Sequence, residues 1–144
     1  MSIVQITRIQ DVIELLKECS LPTSDLKGGD DCFFFGIYDS NRLISCVGLE
    51  IFGDVALLRS LAVSSLAQGK GKGRVLVEYA ERFCISMGVN SVYLLTTTAI
   101  SYFATIGYKS VTRNIIPEAI KASTQYSSVC PDSATIMCIK IPHG

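Results

Sequence analysis

The run Gln68-Gly69-Lys70-Gly71-Lys72-Gly73 constrains this chain more than any other feature. It stands between an apolar stretch, Val55 to Val63, and the strongest amphipathic segment in the sequence. From Arg74 to Met87 the apolar residues fall at 75, 76, 79, 80, 83, 84 and 87, a sustained stripe at helical spacing that Gly88 closes at its C′ position. A strand that turns through glycines into a helix of this kind needs a sheet for the helix to lie on, so the fold is α/β. A helix N-terminus presents unpaired N–H groups and the positive end of the peptide dipoles. Glycines let an anion come close to that backbone, and Lys70, Lys72 and Arg74 add positive charge. The spacing matches neither a P-loop, since no Ser or Thr follows a Gly-Lys pair, nor the G-x-G-x-x-G dinucleotide fingerprint. Taken alone it is open to two readings, an anion-binding turn or a plain strand-to-helix turn with solvated lysines.

The rest of the pattern agrees with one mixed-sheet domain over residues 1–144. Residues 3 to 7 read as a strand and 10 to 19 as a helix. Three strand-like runs follow. Cys32 to Tyr38 ends at the turn signal Asp39-Ser40-Asn41, and Leu43 to Phe52 ends at Gly53-Asp54, a pair suited to a two-residue hairpin with Gly first. Val55 to Val63 is the third. These runs lack clean alternation, which predicts a sheet covered on both faces. Beyond the long helix the pattern gives a strand over 91–95, a helix over 99–106 capped by Thr97 or Thr98 and stopped by Gly107, and a strand near 108–112. A helix from Pro117 and a final strand from Ala134 to Ile141 follow.

Several function classes fall away. Apolar residues make up 49% and charged residues 18%, which is a globular composition. The 13 basic and 13 acidic residues cancel, whereas a protein that lives on phosphate backbones carries a basic excess, so no nucleic-acid partner is expected. There is no apolar stretch long enough to span a membrane and no basic-then-apolar start, so a cytoplasmic, soluble protein without a membrane partner is expected. The six cysteines, at 19, 32, 46, 84, 130 and 138, form no C-x-x-C pair; reduced, mostly buried thiols and no metal site are expected. The single histidine, His143, stands at the chain end, where it cannot serve a Ser-His-Asp or Cys-His unit.

Leu61-Ala62-Val63 followed by Gln68-Gly69-Lys70-Gly71-Lys72-Gly73-Arg74 resembles the acetyl-CoA signature of the GNAT-type N-acetyltransferases. Ala99-x-x-Tyr102-Phe103-x-x-x-Gly107-Tyr108 is similar to a second landmark of that superfamily, and the separation of the two blocks agrees. The C-terminal stretch, with Arg113, Ile116-Pro117, Ile120, Thr124, Cys130-Pro131 and Ser133-Ala134, resembles acetyltransferase-like proteins associated with arsenic resistance. A weaker likeness runs to the acetyltransferase domain of N-acetylglutamate synthases. The resemblance implies a single domain with a central, mostly antiparallel mixed sheet of six or seven strands and helices on both faces. It implies acetyl-CoA as cosubstrate, and a small, amino-acid-like amine as acceptor.

By the same resemblance, the strand ending at Val63 splays from the strand at 91–95, and the pantetheine lies in the gap. Leu61, Ala62 and Val63 would line it, and Gln68, Gly69, Lys70, Gly71, Lys72, Gly73 and Arg74 would hold the diphosphate. Many relatives carry a tyrosine four residues before the Gly-aromatic pair, as the acid for the leaving thiolate; here that residue is Phe103, beside the cosubstrate, and the nearest hydroxyl is Tyr102. Tyr102 is the remaining candidate for a catalytic phenol, although neighbours on a helix point about 100° apart. If Gly53-Asp54 makes a two-residue turn, Gly48 faces Arg59 and Glu50 faces Leu57, so Glu50 and Arg59 are diagonal neighbours on one sheet face. Glu50 is then the candidate base or amine anchor, with Arg59 and Arg113 as candidate carboxylate clamps, and a structural ion pair is the alternative for the first two. A homodimer through the C-terminal strands is a further expectation, and the competing function is a catalytically weak acyl-CoA-binding sensor.

Overall fold

A computed structural model describes residues 2–21, 23, 32–121 and 134–141. Strand β1 (Ile3–Gln5) leads to helix α1 (Ile9–Glu18), then to β2 (Cys32–Asp39), β3 (Arg42–Phe52) and β4 (Val55–Val63). Helix α2 (Lys72–Ser86), β5 (Ser91–Thr96), α3 (Ile100–Thr105), β6 (Lys109–Val111), α4 (Glu118–Lys121) and β7 (Thr135–Lys140) follow, with a 3₁₀ turn at Arg113–Ile115 before α4. The strands form one seven-stranded sheet in the order β1-β2-β3-β4-β5-β7-β6, antiparallel at every junction except β4 against β5.

Both hairpins form as their turn residues dictate. Ser40 and Asn41 both take positive φ, 51° and 70°, so Asp39 faces Arg42 across a two-residue turn whose twist matches the strands. Gly53 takes φ 67° and Phe52 faces Val55. The register predicted from that turn holds: Gly48 faces Arg59 and Glu50 faces Leu57.

The two faces of the sheet are covered by different helices, which explains the near-continuous apolar runs. Val47, Leu49, Ile51, Ala56 and Leu58 pack with Leu76, Val77, Ala80 and Cys84 of α2 and with Phe103 of α3. Their neighbours on the other face, Phe34, Cys46 and Ala62, pack with Val12, Leu15 and Leu16 of α1. Glu50, Gly48 and Arg59 share the face of Phe34, since a methyl group on Gly48 would lie 2.8 Å from Phe34 Cε1 and 3.1 Å from Arg59 Cγ.

Most element ends shift by one or two residues from the sequence reading, and two of the differences bear on the site. Helix α2 begins at Lys72 rather than Arg74, because Gly71 takes the left-handed conformation at the N-cap (φ 74°) and Gly73 falls inside the first turn. Neither Thr97 nor Thr98 caps α3. The N-cap is Ala99, and its N–H donates to Thr96 Oγ1 at 2.9 Å. Pairing of Thr96 with Thr135 carries β5 one residue further than expected, which puts the last strand threonine within reach of the helix start.

Gly48 is the small residue that lets Arg59 and Phe34 lie side by side on the sheet. Gly48→Ala should destabilise the protein by about 1–3 kcal/mol, the usual penalty for overpacking, seen as a lower midpoint in urea denaturation.

Candidate active site

The central opening is made by the sheet. Strand β4 pairs with β5 only at Val55–Leu57 against Ser91–Tyr93. Beyond Leu57 the two strands part, while β4 stays on β3 and β5 stays on β7 through Thr96. A bulge in β4 accompanies the parting. Cys46 faces Ala62 and Gly48 faces Arg59, so Val47 alone opposes Ser60 and Leu61. Ser60 takes φ 54°, a left-handed conformation uncommon outside glycine, and its carbonyl accepts from Cys46 Sγ at 3.3 Å. Leu61 and Val63 are half-buried and Ala62 is buried.

The turn from β4 to α2 is anchored at its strand end and open at its glycine end. Ser64 is buried; its N–H donates to Ile44 O at 2.7 Å and its hydroxyl donates to Glu18 Oε2 at 2.6 Å. Gln68 Nε2 donates to Val63 O at 3.1 Å, so this side chain ties the loop to the strand. Gly69 and Gly71 have positive φ, 78° and 74°, and a methyl group added at either would meet nothing within 4 Å. Any other residue at these two positions would be strained, and the space in front of them is clear for an anion. Lys70 is exposed and Lys72 half-buried, whereas Arg74 pairs with Glu78 one turn along the helix at 3.2 Å.

The aromatic pair on α3 divides between the core and the start of α2. Phe103 is buried in the core under α2, with Tyr108 at 5.6 Å and Tyr102 at 5.2 Å between ring centres. Tyr102 is 38% exposed and reaches the first turn of α2, where its hydroxyl lies 3.3 Å from the point a Gly73 Cβ would occupy. Tyr108, the aromatic of the Gly107-Tyr108 landmark, is buried and donates to Glu81 Oε2 at 2.9 Å, so it clamps the end of α3 to α2.

On the opposite face Arg59 Nη1 donates to Glu50 Oε1. The Arg59 side chain is 2% exposed and that of Glu50 17%, so the carboxylate is the part of the pair that solvent reaches. Leu57, next to Glu50, also faces Tyr93, and these three side chains share one sheet face where β4 and β5 begin to part. Arg113 is engaged elsewhere: its Nη2 donates to the carbonyl of Ala134 at 2.9 Å.

Sequence reasoning missed the Ser60 bulge, the Glu18–Ser64 contact and the Tyr108–Glu81 contact, because each depends on residues brought together across the fold. The register of Leu57 against Tyr93 was also beyond it, since a parallel junction has no turn to fix the pairing. Burial pushes the thiols of Cys46 and Cys84 up to about 12 and raises Cys19 and Cys138, so these thiols are protonated near neutral pH. Cys130, Thr124, Pro131, Ser133 and His143 lie outside the described residues. Among the described residues no three His, Cys, Asp or Glu side chains are grouped to hold a metal ion, and no helix is long and apolar enough to cross a membrane.

Residues 4–108 match the model of the acetyltransferase (GNAT) family, and the chain belongs to that family. A protein of Chlorobaculum tepidum described as an uncharacterized N-acetyltransferase is 36% identical over 89 residues, 61% of this chain; the match spans 56% of that relative's length, a little over half. The fold is shared with N-acetylglutamate synthase from Neisseria gonorrhoeae complexed with coenzyme A and N-acetyl-glutamate, at TM-score 0.76 and 20% identity, over 99% of this chain and 35% of that one. It is shared also with the ribosomal-protein-S18-alanine N-acetyltransferase of Escherichia coli, at TM-score 0.76 and 19% identity, over 99% of this chain and 95% of that one.

Glu18 holds the strand end of the glycine turn from below. Hydrogen bonds from Ser64 and then Arg42 lower its carboxyl below the ordinary carboxylate value. A folded-state value below the unfolded one makes this contribution complete above the unfolded pKa of about 4.3 and lost as pH falls through the lower folded value. The melting temperature should therefore fall more steeply between pH 5 and 3, as an approximate window, in the native protein than in Glu18→Gln, measured by thermal denaturation across pH.

Proposed function

We propose that this chain transfers the acetyl group of acetyl-CoA to the amine of a small, amino-acid-like acceptor by direct attack with both substrates bound. The observation that carries this reading is the gap between β4 and β5, which opens onto the unobstructed glycine turn at the start of α2. Backbone N–H groups of Gly69, Gly71 and Gly73 would receive the diphosphate, helped by the α2 dipole and by Lys70 and Lys72. The edge of β4 from Leu61 to Val63 offers main-chain groups to an extended pantetheine, as a further strand would. A β4 N–H aimed at the thioester carbonyl would stabilise the oxyanion of the tetrahedral intermediate. Acetyl-CoA acts as cosubstrate, and no metal enters the reading.

The acceptor side is the face that carries Glu50. Arg59 holds Glu50 Oε1, which leaves Oε2 as the oxygen to receive a proton from the incoming ammonium. An α-amino group with pKa about 7.7–8.0 is roughly one-tenth neutral at pH 7, so modest help suffices. The neutral nitrogen attacks the thioester carbon, the C–N bond forms, the C–S bond breaks, and the second proton that the nitrogen sheds in becoming an amide ends on the departed thiolate or in solvent. Coenzyme A leaves as a thiolate whose conjugate thiol has a pKa near ~8.5, acceptable without a dedicated acid. That agrees with a buried Phe103 where relatives carry a tyrosine. Arg59, already spoken for by Glu50, acts through that carboxylate rather than as a free clamp; Arg113, in the 3₁₀ turn and bonded to Ala134 O just before β7, is the remaining candidate for an acceptor carboxylate.

The amino-acid-like acceptor rests on the C-terminal resemblance to arsenic-resistance-associated acetyltransferases and on the shared fold with an enzyme crystallised with N-acetyl-glutamate. A soluble, cytoplasmic setting and a homodimer through the C-terminal strands belong to the same reading. Titration with CoA, followed by a thiol-release assay with acetyl-CoA and a panel of amino acids and polyamines, tests it. Amine-dependent thiol release supports the proposal, and tight acetyl-CoA binding without any such release overturns it. Glu50→Gln should lower the acetylation rate about 10²- to 10⁴-fold, the range of general-base assistance, and leave the affinity for CoA within about twofold; unchanged turnover removes Glu50 from the base role.

A further inference from the structure

The Tyr102 hydroxyl lies in an unexpected place for a catalytic phenol. Three elements converge on one point beside the glycine turn. A Cβ on Gly73, in the first turn of α2, would lie 3.3 Å from Tyr102 Oη and 3.6 Å from Val63 Cγ2. The end of β4, the start of α2 and the middle of α3 thus meet at one point, with the phenol hydroxyl beside the first turn of α2. No hydrogen bond to a described residue engages that hydroxyl, although Arg74 and Glu78 stand near enough to influence it. The ring is held in place by its edge-on contact with Phe103 at 5.2 Å, so the hydroxyl is presented by a braced side chain. Gly73 is the residue that makes room for it.

This position fixes which end of the cosubstrate the phenol meets. The turn follows the C-terminal end of β4, while the strands join again only at Leu57 and Tyr93, at the far end of the gap. Diphosphate and thioester occupy opposite ends of the pantetheine arm. With the diphosphate on the glycine turn, the thioester lies toward the junction of the strands, away from Gly73. We infer that Tyr102 is a cosubstrate-binding residue that donates a hydrogen bond to a diphosphate oxygen of acetyl-CoA, and that it is not the acid for the leaving thiolate. This rests on the reading of the cleft as the acetyl-CoA site.

A hydrogen bond to a charged oxygen makes Tyr102→Phe a sensitive test, because the ring and its packing are kept. The variant should bind CoA about ten- to a hundred-fold more weakly in calorimetric titration, with the same loss for 3′-dephospho-CoA, since both keep the diphosphate. In any amine-dependent assay the KM for acetyl-CoA should rise in parallel, with kcat and its pH profile within about twofold. Gly73→Ala, which crowds the same point by a few tenths of an ångström, should weaken CoA binding as well. Equal CoA affinity for Tyr102→Phe and the native protein overturns the inference. So does a fall in kcat at unchanged KM, the mark of an acid, or a loss confined to CoA and absent with 3′-dephospho-CoA, which would assign the hydroxyl to the 3′-phosphate. Absence of CoA binding by the native protein would instead overturn the reading of the cleft itself, so the two failures are told apart.

Discussion

The parting of β4 from β5 beyond Leu57 is the constraint on which the site depends. Strand β5 is paired with β7 along its whole length, and β4 is paired with β3 on its other side. Between Leu58 and Val63 the β5-facing edge of β4 therefore has no ladder partner inside the sheet. Main-chain N–H and C=O groups on such an edge need partners, and an extended chain with amide groups of its own can provide them. The bulge at Ser60 assists by bending the strand and increasing its local twist. A left-handed serine is costly in isolation, on the order of 1 kcal/mol or more, and persists here because the pairing on both sides of it fixes the register.

Among the described residues, several hydrogen bonds tie down the segments beside the gap. Ser64 is tied to Ile44 and to Glu18, Gln68 is tied to Val63, and Tyr108 is clamped to Glu81. Gly69 and Gly71 have clear space ahead of them, whereas Gly73 packs beside Tyr102 and Val63. In our reading an anion would need little rearrangement to approach this turn, because nothing stands in front of Gly69 and Gly71. On the acceptor face the buried Arg59 holds a carboxylate at the margin of solvent, so the same pair is both structural and, in our reading, chemical. Removing one partner of such a pair costs more than the pair contributes, which ties the stability of β3 and β4 to the chemistry of Glu50.

The sequence alone carried the local decisions. Helix α2 was legible from its apolar stripe and its terminal glycines, and the β3–β4 register from the Gly53-Asp54 turn, because period and turn chemistry act over short separations. That register alone placed Glu50 diagonally across from Arg59. The glycine turn was legible too, since open backbone ahead of a helix start can be read from residue type. What only the tertiary structure decided was everything that depends on distant segments meeting. The extent of the β4–β5 pairing, the left-handed Ser60 and the reach of Glu18 to Ser64 follow from packing over many residues of separation. So does the division of α3, with Phe103 turned into the core and Tyr102 toward Gly73. Helical spacing separates those two directions by about 100°, but spacing cannot say which of them faces the core. Burial decides it, and burial is a property of the whole fold.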